Sequence, residues 1–248
     1  MRIAVISDIH GNCIALDAVL ADLQPSAFDQ IVCLGDAVQG GPQPAQVVAR
    51  LRELACPVVM GNADAWLLIG QDSGREQIPA ERLLKMQAIR DWSLSQLTVD
   101  ERAFIGQFQP TVTIESETDR RLLCFHGSPA SFDDVLLPTV AEDEFQRLLG
   151  AYAAYVLTGG HTHLQQVRRI GDSFFFNPGS VGLAYNHEQA ENYFRADPWA
   201  EYAMLTLDSA RIGLEFRRVP FDSVKLRQVY HASGRPYAAE AAAGYEGY

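Results

Sequence analysis

The chain has 248 residues, of which 48% are hydrophobic and 21% are charged, and this composition excludes a disordered, fibrous or collagen-like protein. Its 31 acidic residues outnumber its 20 lysines and arginines, and the formal net charge is −11. This balance disfavours non-specific binding to nucleic acid or to an anionic membrane surface, but it allows a small anionic substrate wherever a bound cation reverses the local field.

The sequence contains no targeting or membrane signal that we recognise. No apolar run reaches the ~20 residues that span a bilayer, and the short apolar run at the N-terminus meets Asp8 at once, unlike an export signal. The four cysteines, Cys13, Cys33, Cys56 and Cys124, form no C-x-x-C pair. We therefore expect reduced thiols and a cytoplasmic location.

Six short apolar runs predict strands that are buried on both faces. They cover residues 3–6, 31–34, 58–60, 122–125, 155–157 and 174–176. Each run is followed by a turn that carries Gly or Pro together with polar side chains. Val, Ile and Phe are frequent in these runs, as is typical of strands inside an α/β protein.

Helical periodicity separates the strands predicted in the first half of the chain. Apolar residues recur at helical spacing after Asn12, a predicted N-cap, and again within 47–55 and 83–89. The sequences that begin at Thr98 and Thr139 each fit a capping box, with a glutamate three residues later. The alternation of strand and helix predicts an α/β fold in which helices cover a sheet.

Alternating side chains characterise the second half of the chain. Apolar and polar residues alternate within 111–115, 202–207 and 211–219, which predicts antiparallel strands with one solvent-facing side. A second, mixed sheet is therefore expected. A last helix is predicted to begin at Asp222 or Ser223.

Two segments near the end of the chain have no clear periodicity. The stretch from 237 to 248 is rich in Ala, Gly and Tyr and predicts a loosely ordered tail, so we expect a single domain over 1–236. The segment 186–198 is polar and aromatic, and it fits either a lid over a site or a long surface loop.

Polar residues at the ends of five predicted strands form the strongest functional signal. In open α/β sheets the carboxyl ends of the strands meet at one edge, where ligands bind. The side chains delivered to that edge would be Asp8, His10, Asp36, Asn62, His126, His161 and His163. All offer nitrogen or oxygen and none offers a thiolate, which is typical of sites for Mn²⁺, Fe or Zn²⁺ rather than of a purely structural zinc site.

The number and spacing of these residues predict two metal ions. Asp8 and His10 lie two residues apart, as do His161 and His163, so both members of a pair can point the same way from an extended strand. Seven ligands exceed the needs of one tetrahedral ion and suit two ions that share a carboxylate, an arrangement that supports in-line phosphoryl displacement. Two divalent cations bound by only two carboxylates retain positive charge, which favours an anionic phosphate ester as substrate.

The ordered motifs resemble those of a known family. The segments that carry the resemblance are Asp8-Ile9-His10, Gly35-Asp36, Gly61-Asn62, Phe125-His126-Gly127 and Gly160-His161-Thr162-His163. They are similar, in the same order, to successive motifs of the calcineurin-like metallophosphoesterases, above all the small bacterial phosphodiesterase-type members. Asn177-Pro178-Gly179-Ser180-Val181-Gly182 resembles a further segment of those members. The resemblance implies two facing mixed β-sheets flanked by helices, a four-layer αββα sandwich, and a metal-dependent phosphoric ester hydrolase.

The same resemblance implies a role for each residue of the set. One ion would be bound by Asp8, His10, Asp36 and His163, and the other by Asp36, Asn62, His126 and His161, so that Asp36 bridges the two. Family members use Mn²⁺, Fe, Zn²⁺ or Ni²⁺. We hypothesise that a hydroxide bridging the ions attacks phosphorus in line with the leaving oxygen, while Asn62 and His126 also orient the phosphoryl group.

The sequence departs from the family pattern at one informative position. Many members have a histidine directly after the asparagine, where it is thought to protonate the leaving oxygen, and this chain has Ala63. Alanine has no proton to give, so we slightly favour a phosphodiester, or another substrate with a good leaving group, over a monoester. His187 is a possible substitute, although an exposed surface histidine is the simpler interpretation. Asp64 could serve only with a raised pKa.

Other interpretations of these residues remain open at the level of sequence. Asp8 and Asp36 could each cap a helix, His126 could be a core histidine, and Asn62 could be a turn residue. The main alternative function is a non-catalytic scaffold or binding module that keeps the fold, and the retention of all seven residues disfavours it. A nuclease of the same superfamily is disfavoured by the acidic composition.

Overall fold

Two mixed β-sheets form the centre of the molecule. The structure, a computed structural model, describes residues 1–71, 78–116, 120–152, 156–190, 194–208 and 212–247. Within them the strands are β1 (Arg2–Ile6), β2 (Gln30–Cys33), β3 (Val112–Glu115), β4 (Arg121–Cys124), β5 (Val156–Thr158), β6 (Gln166–Ile170), β7 (Ser173–Asn177), β8 (Trp199–Leu207) and β9 (Ile212–Pro220).

The two sheets combine parallel and antiparallel pairs. The first has the order β2-β1-β8-β9, with β1 parallel to β2 and antiparallel to β8. The second has the order β3-β4-β5-β7-β6, with a parallel centre and an antiparallel strand at each edge. The parallel strands β1 and β2 of one sheet and β4 and β5 of the other therefore supply the strand ends at which the site is built.

Helices cover the outer faces of both sheets. They are α1 (Cys13–Leu23), α2 (Pro44–Leu54), α3 (Asn62–Ile69), α4 (Ala80–Ser95), α5 (Val99–Ile105), α6 (Glu142–Leu149), α7 (Ser223–Ala232) and α8 (Ala238–Ala243). The predicted caps at three of them are confirmed, because Asn12, Thr98 and Asp222 each accept a hydrogen bond from a backbone N–H of the first helical turn. No helix in the described part of the chain is long and apolar enough to cross a bilayer.

Successive side chains of a strand point to opposite faces of its sheet, and this places them in different apolar layers. In β1, Ile3 and Val5 lie in the apolar cluster between the sheets, whereas Ala4 and Ile6 lie in the cluster under α1 and α2. On the far side of the second sheet, Phe175 packs against Phe145 of α6. The molecule is therefore the predicted α/β arrangement of two facing mixed sheets between helices, a four-layer αββα sandwich.

Several local predictions were wrong, among them one strand and one helix cap. Residues 58–60 form only isolated bridges, Val58 with Cys33 and Val59 with Gln109, because the chain turns into α3 immediately afterwards. The sequence at Thr139 does not form a capping box. Val140 N donates to Leu137 O in a turn, and α6 begins after Ala141 without a side-chain cap.

The solvent-facing side predicted for 202–207 is also absent. Strand β8 lies between β1 and β9 in the sheet, and side chains on both of its faces are buried. Tyr202 and Met204 pack toward α1 and α2, and Ala203 and Leu205 lie between the sheets. The edge strand β9 does keep an exposed side.

The loosely ordered tail expected from Tyr237 is contradicted by the structure. Residues Ala238–Ala243 form α8, and Tyr245 beyond it is 3% exposed and packs with Tyr230 of α7. The Tyr245 hydroxyl donates to Gly182 O at 2.9 Å. Alanines favour a helix at little entropic cost, and the tyrosine ring supplies the apolar area that fixes this helix to the protein.

The segment 186–198, predicted as a lid or a loop, is anchored at its C-terminal end. Residues 191–193 of it lie outside the described residues. Ala196 forms a bridge with Tyr185, and its N–H donates to Gly244 O at 3.0 Å. Asp197 N donates to Ala184 O at 2.7 Å. The described part therefore packs against the C-terminal region of the chain.

Candidate metal centre

Five loops at one edge of the two sheets bring the seven predicted residues together. Asp8 and His10 follow β1, Asp36 follows β2, His126 follows β4, and His161 and His163 follow β5, while Asn62 is the first residue of α3. The site thus lies where strand ends of both sheets meet, as the sequence predicts for a ligand site of an α/β sheet.

The backbone of this edge is unusual. Left-handed φ angles occur at Asp8 (54°), His10 (46°), Asp36 (48°), His161 (67°) and His163 (54°). Residues with a Cβ avoid this region, so each position carries strain that the surrounding structure must hold. Backbone hydrogen bonds between the loops do so: Asp8 N donates to Gly35 O at 3.0 Å, and His10 N donates to Asp36 O at 2.9 Å. The strain indicates that side-chain placement at these positions serves function.

Six of the seven side chains form two groups of three. Asp8, His10 and His163 each place a potential ligand atom within 4.8 Å of the others, and so do Asp36, His126 and His161. In the first group, which we call the Asp8 group, Asp8 Oδ1 lies 3.3 Å from His163 Nε2 and 3.9 Å from His10 Nε2. In the second, the Asp36 group, Asp36 Oδ2 lies 3.4 Å from His126 Nε2.

Three of the imidazoles are oriented by backbone carbonyls. The Nδ1 atoms of His10, His126 and His163 lie 2.9, 2.8 and 2.7 Å from the carbonyl oxygens of Gln39, Leu34 and Leu183. Each Nδ1–H donates to its carbonyl, which leaves Nε2 with a lone pair aimed into the site. His10 Nε2 and His163 Nε2 lie only 3.1 Å apart, so a cation, either a proton or a metal ion, must lie between them.

Asn62 completes the Asp36 group. Its Oδ1 lies 2.9 Å from His126 Nε2 and accepts the proton that the raised pKa of His126 keeps on that nitrogen. Asn62 is therefore brought next to the residues with which its sequence motif groups it.

The two carboxylates differ in how their oxygens are used. Asp8 Oδ2 accepts hydrogen bonds from Ser7 Oγ at 2.5 Å and from His161 N at 3.1 Å, whereas Asp8 Oδ1 is buried and receives no hydrogen bond from the described residues. Asp36 Oδ1 accepts from Ala63 N at 2.8 Å. Asp36 Oδ2 lies near His126 and also 3.8 Å from His10 Nε2, in the other group.

Opposite charges set the protonation states in the site. Burial alone would raise the pKa of Asp8 and Asp36, but the histidines beside them outweigh burial and hold both pKa values below the usual range. Burial would lower the pKa of His126, yet the Asp36 carboxylate raises it to about 10. Asp8 likewise raises the pKa of His163 against the effect of burial. Each group therefore contains a histidine that holds a proton strongly until a metal ion replaces it.

The residues present fit a pair of divalent metal ions. Imidazole Nε2 atoms that give up a proton to a metal ion, two low-pKa carboxylates and an amide oxygen are the donors that Mn²⁺, Fe and Zn²⁺ accept. The buried Asp8 Oδ1 without a donor is the kind of atom that a cation satisfies. The structure thus has two candidate metal-binding triads, although the roles of single residues remain predictions.

The comparison with protein families decides the identity of the fold. Residues 1–200 match the model of the calcineurin-like phosphoesterase superfamily domain. The chain belongs to this superfamily. It is therefore a metal-dependent phosphoric ester hydrolase.

Similar proteins agree with membership of this phosphoesterase superfamily. The chain is 28% identical over 193 residues to the phosphodiesterase YfcE of Escherichia coli K12, covering 74% of this chain and 80% of the relative. It is 29% identical over 183 residues to an uncharacterized protein of Methanocaldococcus jannaschii, covering 73% and 70%. The structure superposes on a metallophosphoesterase from Sphaerobacter thermophilus with a TM-score of 0.71, at 25% identity and 98% coverage of both chains. A hypothetical protein of Pyrococcus horikoshii OT3 shares the fold, with a TM-score of 0.77 at 18% identity and coverage of 95% and 94%.

The segment from Asn177 to Ser180, which we call the strap, holds two loops of the metal centre in place by hydrogen bonds. Asn177 Nδ2 donates to Gly160 O at 2.6 Å and to Thr162 Oγ1 at 3.0 Å, which fixes the loop that carries His161 and His163. Ser180 Oγ donates to Asp8 O at 2.8 Å. The Asn-Pro-Gly-Ser sequence after a buried strand is the signal that marks this strap, but only the structure shows what it touches.

The position next to Asn62 has no acidic side chain available to a substrate. Ala63 contributes only its N–H, which binds Asp36. Burial raises the pKa of Asp64 to about 7, as considered from the sequence, but its carboxylate is completely buried and accepts from Ala37 N and Val38 N at 3.0 Å. His187 stacks on Tyr185 at 4.5 Å, and Tyr185 in turn contacts His163. His187 is therefore near the site but not within either group.

Two cavities open beside the metal centre and share His10, Gly40 and Ile89 as walls. The first, which we call the α3–α4 cavity, has a volume of about 600 Å³ and is also lined by Asn62 and His161. Its other walls are mostly apolar and include Ala63, Trp66, Ile69, Met86 and Phe132. The second, the C-terminal cavity of about 700 Å³, is lined by charged and aromatic side chains that include Lys85, Phe194, Arg195, Arg235, Tyr237 and Glu240.

Proposed function

We propose that this protein is a dinuclear phosphodiesterase that hydrolyses a small anionic phosphodiester. The observation that carries the proposal is the position of Asp36 Oδ2, a single carboxylate oxygen 3.4 Å from His126 Nε2 and 3.8 Å from His10 Nε2. One oxygen within reach of both groups of ligand atoms is what a shared bridge between two ions requires.

The ligand set of each ion follows from this bridge. Asp8, His10 and His163 would hold one ion together with Asp36, and Asn62, His126 and His161 would hold the other together with Asp36. A set of oxygen and imidazole donors without thiolate suits Mn²⁺, Fe, Zn²⁺ or Ni²⁺. Among these, we propose Mn²⁺ as the first ion to test.

The reaction is the hydrolysis of a P–O ester bond. When bound, divalent ions would lower the pKa of a water molecule and neutralise charge on the phosphoryl oxygens. Asn62, which lines the α3–α4 cavity, and the adjacent His126 would orient the phosphoryl group for in-line attack. The water oxygen bonds to phosphorus, the bond to the leaving oxygen breaks, and the water proton ends on the alcohol that leaves.

Three observations support a diester over a monoester. A diester has two organic arms, and two cavities adjoin His10. Ala63 offers no proton for a poor leaving group, and a diester with an activated alcohol needs less help from an acid. The relative from Escherichia coli is named a phosphodiesterase.

A reducing compartment agrees with the thiols of the protein. Cys13, Cys33, Cys56 and Cys124 are all free, and burial raises the pKa of each thiol, which keeps them unreactive. We propose that the protein acts in the cytoplasm, on a small phosphodiester and not on nucleic acid, in keeping with its net charge of −11.

Replacement of the shared carboxylate tests the proposal. We expect Asp36→Asn to reduce the kcat of bis(4-nitrophenyl) phosphate hydrolysis with added Mn²⁺ by about 10³-fold, because removal of the bridge takes away several kcal/mol of charge stabilisation. The measurement is the release of 4-nitrophenolate, together with the metal content of the purified protein.

The matched control is Asp143→Asn, which makes the same chemical change at an exposed position of α6. It should leave both kcat and metal content as in the wild type. Hydrolysis by Asp36→Asn at the rate of Asp143→Asn would reject the proposed mechanism.

A further inference from the structure

The C-terminal cavity is the second space next to the metal centre, and its chemistry differs from that of the α3–α4 cavity. It is bounded by His10 and Gly40 on the side of the metal centre and by residues of α7, α8 and the chain beyond them on the other. A group bound there would therefore lie beside a phosphoryl group held at His10.

Arg235 is a charged residue of this cavity that contacts the wall shared with the metal centre. Its Nε donates to Gly40 O at 2.6 Å, and Gly40 follows Gln39, whose carbonyl orients His10. Its Nη1 donates to Pro236 O at 2.9 Å, and its guanidinium lies 5.6 Å from the ring centre of Tyr230. The guanidinium is thus pinned in one orientation at the cavity wall.

Arg235 has no carboxylate partner among the described residues. Its known contacts are two carbonyl oxygens and an aromatic face, none of which carries a negative charge. Burial lowers the pKa of Arg235 from its usual value, but the group remains a cation at neutral pH. The Glu240 carboxylate also acts on Arg235 electrostatically. The hydrogen bonds of the half-buried guanidinium nevertheless go only to neutral carbonyls, so it has spare N–H donors for an anion.

The other charged groups of the cavity leave this positive charge in place. Lys85 Nζ pairs with Glu240 at 3.1 Å, so these two charges offset each other. Arg195 Nη1 donates to the backbone oxygen of Glu246 at 2.9 Å. The remaining carboxylate of the cavity wall, Glu246, is exposed near the end of the chain, where solvent screens it.

Two aromatic rings form the rim of the cavity. Phe194 is 49% exposed and Tyr237 is 43% exposed, although both line the cavity. Exposed rings beside a cationic wall are suited to stack against a flat ring of a ligand. The cavity thus offers one place for a planar group and another for an anion.

We propose that the C-terminal cavity binds one arm of the phosphodiester substrate, and that this arm carries a planar ring and a second anionic group contacted by Arg235. The inference rests on the proposed function, since it names the class of diester that the same site selects. Arg235 would be a specificity-determining residue that contacts the substrate away from the phosphorus under attack.

Two esters that differ only in the second anion test the inference. They are 4-nitrophenyl thymidine 5′-phosphate and the same compound with a phosphate on its 3′ oxygen, and both release 4-nitrophenolate. We expect the wild-type protein with Mn²⁺ to show a kcat/KM about tenfold higher for the 3′-phosphorylated ester, because a charge-assisted hydrogen bond to Arg235 is gained only there.

Three variants assign this preference to Arg235. In Arg235→Gln the ratio of the two kcat/KM values should fall to about one, and in Arg235→Lys to about three, because lysine keeps the charge without the planar pair of donors. Arg147→Gln, which removes an exposed arginine of α6, should keep the wild-type ratio. Each ratio compares two substrates within one variant, so a general loss of activity does not alter it. If Arg235→Gln fails to fold, the ratio measured for Arg235→Lys tests the role of Arg235.

Calorimetric binding separates this inference from the proposed function. Thymidine 3′,5′-bisphosphate should bind the wild-type protein about tenfold more tightly than thymidine 5′-phosphate, and Arg235→Gln should abolish the difference. Equal hydrolysis and equal binding of the paired compounds by the wild type, or a ratio unchanged in the Arg235 variants, would overturn the inference while leaving the hydrolase intact. The expected binding difference without hydrolysis of either ester would instead reject the proposed function.

Discussion

The Asp8 group and the Asp36 group have the same composition, one aspartate and two histidines, but the carboxylates in them have different freedom. Both oxygens of Asp8 are committed within its own surroundings, since Oδ2 accepts two hydrogen bonds and Oδ1 faces His163 and His10 of the same group. Asp36 uses Oδ1 for the Ala63 N–H and keeps Oδ2 between the two groups.

In the proposed dinuclear site, donor positions and not residue types would decide which carboxylate can bridge. The hydroxyl of Ser7 and the N–H of His161 would limit Asp8 to one ion. The single N–H on the other oxygen of Asp36 would leave that residue free to bind two. The surroundings of a metal ligand therefore set its function as much as the ligand itself.

The largest expected effect is on the number of bound ions. Asp36→Asn should lose both ions, because each group loses its shared oxygen, whereas Asp8→Asn should keep the ion of the Asp36 group. Metal analysis after gel filtration gives the number of ions per chain for each variant. Equal stoichiometry in the two variants would break the distinction between the carboxylates.

The pH dependence of metal binding sharpens the comparison. Asp36 raises the pKa of His126 to about 10 in the metal-free protein, so below that pH an ion must displace the proton of His126. Affinity for the ion of the Asp36 group should therefore rise about tenfold for each pH unit, from pH 6 to pH 9. Titration calorimetry in two buffers of different ionisation enthalpy measures the protons released. Metal affinity that is flat over this range would contradict the role of His126 as a ligand.

The smallest effect is expected from the donor that restrains Asp8. Ser7→Ala removes the 2.5 Å hydrogen bond to Asp8 Oδ2 and should weaken binding of the ion in the Asp8 group by about tenfold, with little change in the Asp36 group. Competition with a fluorescent chelator measures both constants. Ser26→Ala is the matched control, because it removes a half-buried hydroxyl that accepts a hydrogen bond from Arg217 and is bonded to no residue of the metal centre. An equal loss in both groups of Ser7→Ala would show that the serine acts on the whole site.

Much of the site was predictable because its residues follow buried strands. Asp8, Asp36 and His126 each come directly after an apolar run, and the meeting of strand ends at one edge is a general property of α/β sheets. The left-handed backbone at five of the ligand positions was not predictable, because even aspartate and histidine adopt it at only a small minority of positions and loop packing decides where. The strap through Asn177 and Ser180 carried a sequence signal but no indication of its partners.

The C-terminal region shows where sequence reasoning ends. Its alanine-rich stretch has little periodicity, yet α8 and Tyr245 find apolar partners on α7 and a hydrogen bond to Gly182. Arg235 reaches Gly40 across most of the chain length, and no local pattern encodes such a contact. The predicted cap at Thr139 failed for a related reason. Val140 N donates to Leu137 O in a turn, so the helix begins only after Ala141, beyond the predicted start.

The backbone hydrogen bonds between the loops after β1 and β2 have a practical consequence. Asp8 N, His10 N and Gly11 N each donate to a carbonyl of the neighbouring loop, at 3.0, 2.9 and 2.9 Å. These contacts join main chain to main chain and involve no ligand atom, so removal of the ions leaves them in place. A chelator followed by dialysis against a different divalent cation should therefore exchange the metals in the native protein, and one preparation can serve for comparing every candidate ion.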